Sequence, residues 1–189
     1  MNPIIESYIK QFKYYELLGK KTIDALSDQQ LLSKTESESN SVANLVNHIS
    51  GNMLSRWTDF MQADGEKEWR NRDREFEEVL ESKYQLIEAW EKGWSCLYKA
   101  IEPLRDEDLT KSVYIRSKEH TVLEAINRQL AHYAYHIGQI VFIGKTKLNE
   151  DWKSLSIPKG NSKNYNAAQT AAGKRKEHFT DQFLKDEKK

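Results

Sequence analysis

Apolar residues recur every three or four positions along most of this chain, and four long stretches keep that rhythm. The first runs from Ile4 to Leu26, with Ile5, Tyr8, Ile9, Phe12, Tyr15 and Leu18 on one stripe. A second starts behind an Asn40 or Ser41 cap and runs to about Met61, carrying Val42, Val46, Ile49, Met53 and Phe60. The third spans Glu75 to Ile101, with Phe76, Val79, Leu80, Tyr84, Ile87, Trp90, Trp94, Leu97 and Ile101 in phase, and Pro103 ends it. The fourth spans Thr121 to Thr146; Thr121 with Glu124 forms a capping box at its start, and Gly144 and Lys145 suit its end. Such spacing predicts amphipathic helices, each with one face in a shared core.

Between the helices the pattern changes. Lys34–Asn40 (KTESESN) is polar and aperiodic, so it reads as a loop. Ala63–Asp73 (ADGEKEWRNRD) is a turn followed by a dense charged run, and its Trp69 is expected to pack against the bundle end. Glu77, Glu78 and Glu81 read as a solvated face. Lys111–Lys118 (KSVYIRSK) alternates Val113 and Ile115 with polar residues, which predicts a short extended arm or hairpin. Asp151–Lys189 is less regular and highly charged, with Pro158 and Gly160 breaking it. The expectation is an all-α, up-and-down four-helix bundle over 1–150, with a short arm before the fourth helix. An irregular C-terminal extension over 151–189 is packed on the bundle or partly mobile.

Composition narrows the class. The 189 residues hold 29 basic and 29 acidic side chains, so net charge draws the chain to no nucleic acid. Cys96 is the sole cysteine, which rules out an intrachain disulfide and suits a reducing, cytoplasmic setting. Within its helix Cys96 reads as a buried, inert thiol. No stretch reaches the ~18 consecutive apolar residues of a membrane-spanning helix, and no apolar leader follows Met1. Five Trp and nine Tyr against three Pro and eight Gly point to long helices around an aromatic core.

Candidate chemistry centres on histidine. His132 and His136 stand four apart on the fourth helix, so both face one side and can reach one metal ion. They fall on the flank of the apolar stripe. Pairs at this spacing are common on helices, and the motif lacks the Glu of H-E-x-x-H. His48 also flanks the stripe of its helix, and if the two helices pack side by side the three imidazoles converge. His120, just before the fourth helix, is the reserve ligand, and His178 reads as solvated. Gly138–Thr146 (GQIVFIGKT) looks like a phosphate loop but has five residues between its glycines and lies within a helix. No G-x-S-x-G elbow is present.

With His48 on one helix and H-x-x-x-H at His132 and His136 on a later one, the chain resembles the DinB-like (YfiT-like) superfamily over 1–147. The segments SRWTDF (Ser55–Phe60), DGEKEWRNRD (Asp64–Asp73) and SIPKGNSKNYN (Ser156–Asn166) resemble a bacterial branch of it. The resemblance implies a four-helix bundle that holds one divalent metal through His48, His132 and His136, and a homodimer. It implies a metal-dependent enzyme such as a low-molecular-weight-thiol S-transferase or a hydrolase, or a non-catalytic metal-binding or stress-response protein. Ni, Zn, Mn and Fe all accept imidazole, so the metal stays open.

Overall fold

The fold is that of a computed structural model, which describes residues 3–77 and 80–185. Four long helices form the bundle: α1 (Pro3–Ala25), α3 (Val42–Trp57), α4 (Lys83–Ile101) and α5 (Val122–Leu148). A short α2 (Asp28–Leu32) follows α1, and β1 (Ser112–Ile115) with β2 (Lys118–Thr121) forms the arm ahead of α5. The C-terminal extension holds two short helices, α6 (Ser162–Ala171) and α7 (Asp181–Leu184). Caps fix where helices start. Ser41, Thr121 and Ser27 each accept a hydrogen bond from the backbone of their helix's third residue and complete capping boxes.

The all-α bundle with its short arm is what the chain forms, but its helices do not alternate strictly. Tyr8 meets Asn127 and Thr22 meets Gly144, so α1 and α5 run parallel. Ser50 and Met53 on α3 meet Gly93 on α4, and the Met53 carbonyl lies by Cys96, so these two also run parallel. The order is up, down, down, up. The long connection 58–82 permits this by carrying the chain back along the bundle before α4 begins. Helix α5 thereby lies against both α1 and α3.

Two boundaries and one burial differ from expectation. Helix α3 stops at Trp57 rather than Met61, because Thr58 caps it and Asp59 takes a positive φ of 51°. The third long helix begins at Lys83 rather than Glu75. Ser82 caps it, and Asp73–Phe76 is a separate 3₁₀ turn. Glu78 and Val79 lie outside the described residues. Trp69, expected to pack, is 60% exposed.

The core fills the space among the helices with Phe12, Leu86, Trp90, Trp94, Tyr133 and Ile137, all essentially buried. Each side chain of this kind contributes about 1.5–3 kcal/mol when fully withdrawn from water. Their rings meet edge-on or tilted, as between Trp90 and Trp94 at 5.5 Å and Trp94 and Tyr133 at 5.9 Å. The extension docks on α1: Asp181 pairs with Lys10 at 3.0 Å, and Phe179 and Phe183 pack on Tyr14. His178 is accordingly half-buried, with Nε2 3.0 Å from the Ser7 hydroxyl, rather than solvated.

No helix among the described residues is long and apolar enough to cross a membrane.

Candidate metal centre

The antiparallel contact of α3 with α5 brings His48 against His132 and His136. His132 Nε2 lies 3.3 Å from His48 Nε2 and 3.1 Å from His136 Nε2, and all three rings are partly buried. Ligands bonded at about 2.0–2.1 Å to one ion, at ordinary coordination angles, stand roughly 2.9–3.4 Å apart. Both separations have those dimensions, all three ligand atoms lie within 4.8 Å of one another, and the cluster can hold a metal ion. His120 is elsewhere: its Nδ1 lies 2.9 Å from the Lys118 carbonyl and its Nε2 3.3 Å from Arg128.

The other ring nitrogens reveal which way each imidazole is set. His48 Nδ1 donates to the Glu75 carboxylate at 2.8 Å, and His136 Nδ1 donates to the Gln139 side-chain oxygen at 2.8 Å. With the proton held on Nδ1, a neutral ring presents a lone pair at Nε2. Two lone pairs therefore face His132 Nε2, which offers one N–H at most. A shared cation satisfies all three nitrogens, whereas a proton satisfies two. Two of the rings, His132 and His136, are also held neutral. Burial, reinforced by the His136 and His48 rings and by Arg70 and Arg56, pushes His132 down to about 3. Burial lowers His136 too; its Gln139 hydrogen bond works against this and His48 adds to it.

The segment between α3 and α4 supplies the outer shell. Arg70 grips Glu75 through Nε at 2.7 Å and Nη2 at 2.9 Å, and both side chains are buried. Although burial alone would raise it, the Glu75 carboxyl stays below its usual range because His48 and Arg70 hydrogen-bond to it. Helix α3 anchors this segment through Asn47 to the Glu75 carbonyl and Asn44 to the Phe76 and Glu77 carbonyls. Phe76 stacks on the His48 ring at 4.7 Å. Gly51 makes the approach feasible, since a Cβ there would lie 2.5 Å from the Glu75 carboxylate.

The hairpin braces the same segment. Its two-residue turn, Arg116-Ser117, has positive φ at both positions (54° and 59°), the twist a tight hairpin prefers. Asp64 accepts the backbone N–H groups of both turn residues and of Glu66. Glu75, Arg70 and Asp64 are the residues that the helical pattern missed. The Gly at position 51, inside a helix where it costs about 1 kcal/mol against Ala, was the available signal.

Comparison with known proteins bears on the family and the fold. A family described as "Protein of unknown function (DUF1572)" matches residues 1–161. The crystal structure of a DinB-like protein from Bacillus cereus ATCC 10987 superposes with a TM-score of 0.58 over 74% of this chain and 90% of that one. At 16% identity the likeness concerns the fold. No curated protein matches. With two-thirds or more of its length accounted for by that match and its helices arranged as in the solved relative, the chain belongs to the DUF1572 family and has the DinB-like bundle fold.

Proposed function

We propose that this chain is a divalent-metal-dependent enzyme in which His48, His132 and His136 hold the ion, and that it acts on a low-molecular-weight thiol. The observation that carries the reading is the meeting of three Nε2 atoms, two with lone pairs fixed from behind. When bound, a Ni, Zn, Mn or Fe ion supplies Lewis acidity that makes a thiol or a water acidic at neutral pH. Everything else falls to the chain. Glu75 and Gln139 keep the His48 and His136 protons on Nδ1, Arg70 keeps Glu75 ionised, and Phe76 shields the His48 ring. A groove of about 590 Å³ lined by Leu45, Tyr135, Gln139 and Phe142 runs past Gln139, which holds the His136 ring from behind.

Elemental analysis after equal loading tests the ligand set. Wild type should hold one ion per chain, His132→Ala should lose most of it, and His120→Ala and His178→Ala should lose none. Full retention by His132→Ala refutes the triad. Thiol-transfer and hydrolysis assays on the loaded protein then test the reaction.

A second reading has an observation of its own: the triad joins two helices, so a metal there staples α3 to α5 without catalysis. A large rise in melting temperature on loading, with no turnover of any thiol or ester, favours it. The homodimer remains part of the proposal. Tyr135 and Phe142, 63% and 71% exposed on α5, are apolar side chains that a partner copy would cover. A monomer mass by light scattering at micromolar protein rules that out.

A further inference from the structure

The polar seam between α3 and α5 does not end at the histidines. On α3, His48, Asn52 and Arg56 follow at four-residue steps and share a face. On α5, Gln129 precedes His132 by three. Tyr133 accepts a hydrogen bond from Trp57 and donates one to Asn52, which brings Arg56 to the level of Gln129. Asn52, Arg56 and Gln129 are all more than nine-tenths buried.

This stretch is electrostatically incomplete. Seven buried side-chain polar atoms lack a partner among the described residues, and four of them are here: Nε and Nη1 of Arg56, Nη1 of Arg70 and Oε1 of Gln129. The nearby carboxylates are committed elsewhere. Glu75 serves Arg70 and His48, and Glu66 serves Arg72 and Arg116. Burial lowers the Arg56 guanidinium, and the like charges of Arg128 and Arg70 lower it further. Burying a charge without a partner is strongly unfavourable. A divalent ion on the histidines would enlarge the positive excess.

We propose that Arg56, together with the unused N–H of Arg70, forms an oxyanion subsite beside the histidine cluster, and that the small molecule taken there carries a carboxylate or phosphate group. Charge-assisted N–H donors from guanidinium are the chemistry that selects such groups. Gly65 packs directly against the Arg56 guanidinium, where a Cβ would come within 2.2 Å of Nη1. The inference deepens the metal-site reading and takes from it only the place where the reacting group sits.

The test is a titration of inorganic phosphate and, separately, of acetate into ¹⁵N-labelled full-length chain, metal-free and zinc-loaded. The readout is the arginine Nε–H resonances, with Arg56 assigned by its loss in Arg56→Lys. The expected result is a saturable shift at Arg56. Arg56→Gln should weaken binding at least tenfold, and Arg74→Gln, at a side chain 66% exposed, should leave it unchanged. Whichever probe binds more tightly identifies the anion class. Resonances that neither probe moves overturn the proposal, a water bridging Arg56 to Gln129 then completing the seam. Phosphate or acetate binding in a chain that takes no zinc keeps the subsite and removes the metal reading. If Arg56→Gln fails to fold, the wild-type titration alone decides.

Discussion

Two seams meet at α5 and have opposite chemistry. On the side of α1 and α4, the Phe12 and Trp94 rings pack on Tyr133, Trp90 meets Trp94 edge-on, and Ile137 is buried with them. On the side of α3, the same helix offers Gln129, His132 and His136 to Asn52, Arg56 and His48. Tyr133 belongs to both, its ring in the first and its hydroxyl in the second. The aromatic seam gains free energy simply by excluding water. The polar seam gains only as far as each group finds a partner, and several have none among the described residues. A bundle that wanted stability alone would fill both with leucine. The polar seam is therefore where this fold gives up stability.

Substitutions can break that contrast. The largest effect is expected in the aromatic seam: Trp94→Ala should cost about 3–5 kcal/mol, read as a lower urea midpoint. Next comes Glu75→Gln, which removes the carboxylate that orients His48. It should weaken metal binding roughly tenfold to a hundredfold, measured by competition with a chromophoric chelator, while metal-free stability falls less than in Trp94→Ala. An unchanged affinity would detach the 58–82 connection from the site.

Asp64 gives a smaller, pH-dependent effect. Burial alone would raise its carboxyl, but the N–H groups of Ser117, Glu66 and Arg116 bring it below the ordinary value. The folded form thus binds the proton less readily than the unfolded form. Its contribution is full above the unfolded value of about 3.9 and is lost as pH falls through the folded one. Asp64→Asn should cost about 1 kcal/mol at neutral pH, and the gap to wild type should close in acid. Thermal melts at stepped pH read it, and a constant gap rejects the role.

The smallest change in stability is also the sharpest test of the contrast. Arg56→Met replaces an unpartnered buried charge with an apolar chain of similar length. Denaturation should show stability unchanged or slightly raised. A loss comparable to that of Trp94→Ala would mean that the polar seam is structural after all.

The helices were legible because burying one face of a helix imposes a period, and their starts at Ser41 and Thr121 announced themselves through capping residues. The third long helix was misplaced because Phe76, Val79 and Leu80 stay in phase with α4, so periodicity alone could not see the break; the Ser82 cap marks it. Among the candidate ligands, His132 and His136 could be paired by spacing within one helix. His48 could be joined to them only through the resemblance and a guess at packing. Glu75 and Arg70 were invisible because a side chain that reaches a partner 27 residues away from an aperiodic loop leaves no period to read. The direction of α4 was hidden for the same reason: a long connection does not say at which end it delivers the chain.

The hairpin clamp sets a timetable. Asp64 waits for Arg116 and Ser117, more than 50 positions downstream, and His48 waits 84 positions for His132. At a synthesis rate of about 5–20 residues per second, the second interval is roughly 4–17 s on the ribosome. During it one of the three histidines is already made and the other two are not. A nascent chain thus carries His48 without the neighbours that would complete a metal site, and the site closes only as the last long helix docks between α1 and α3.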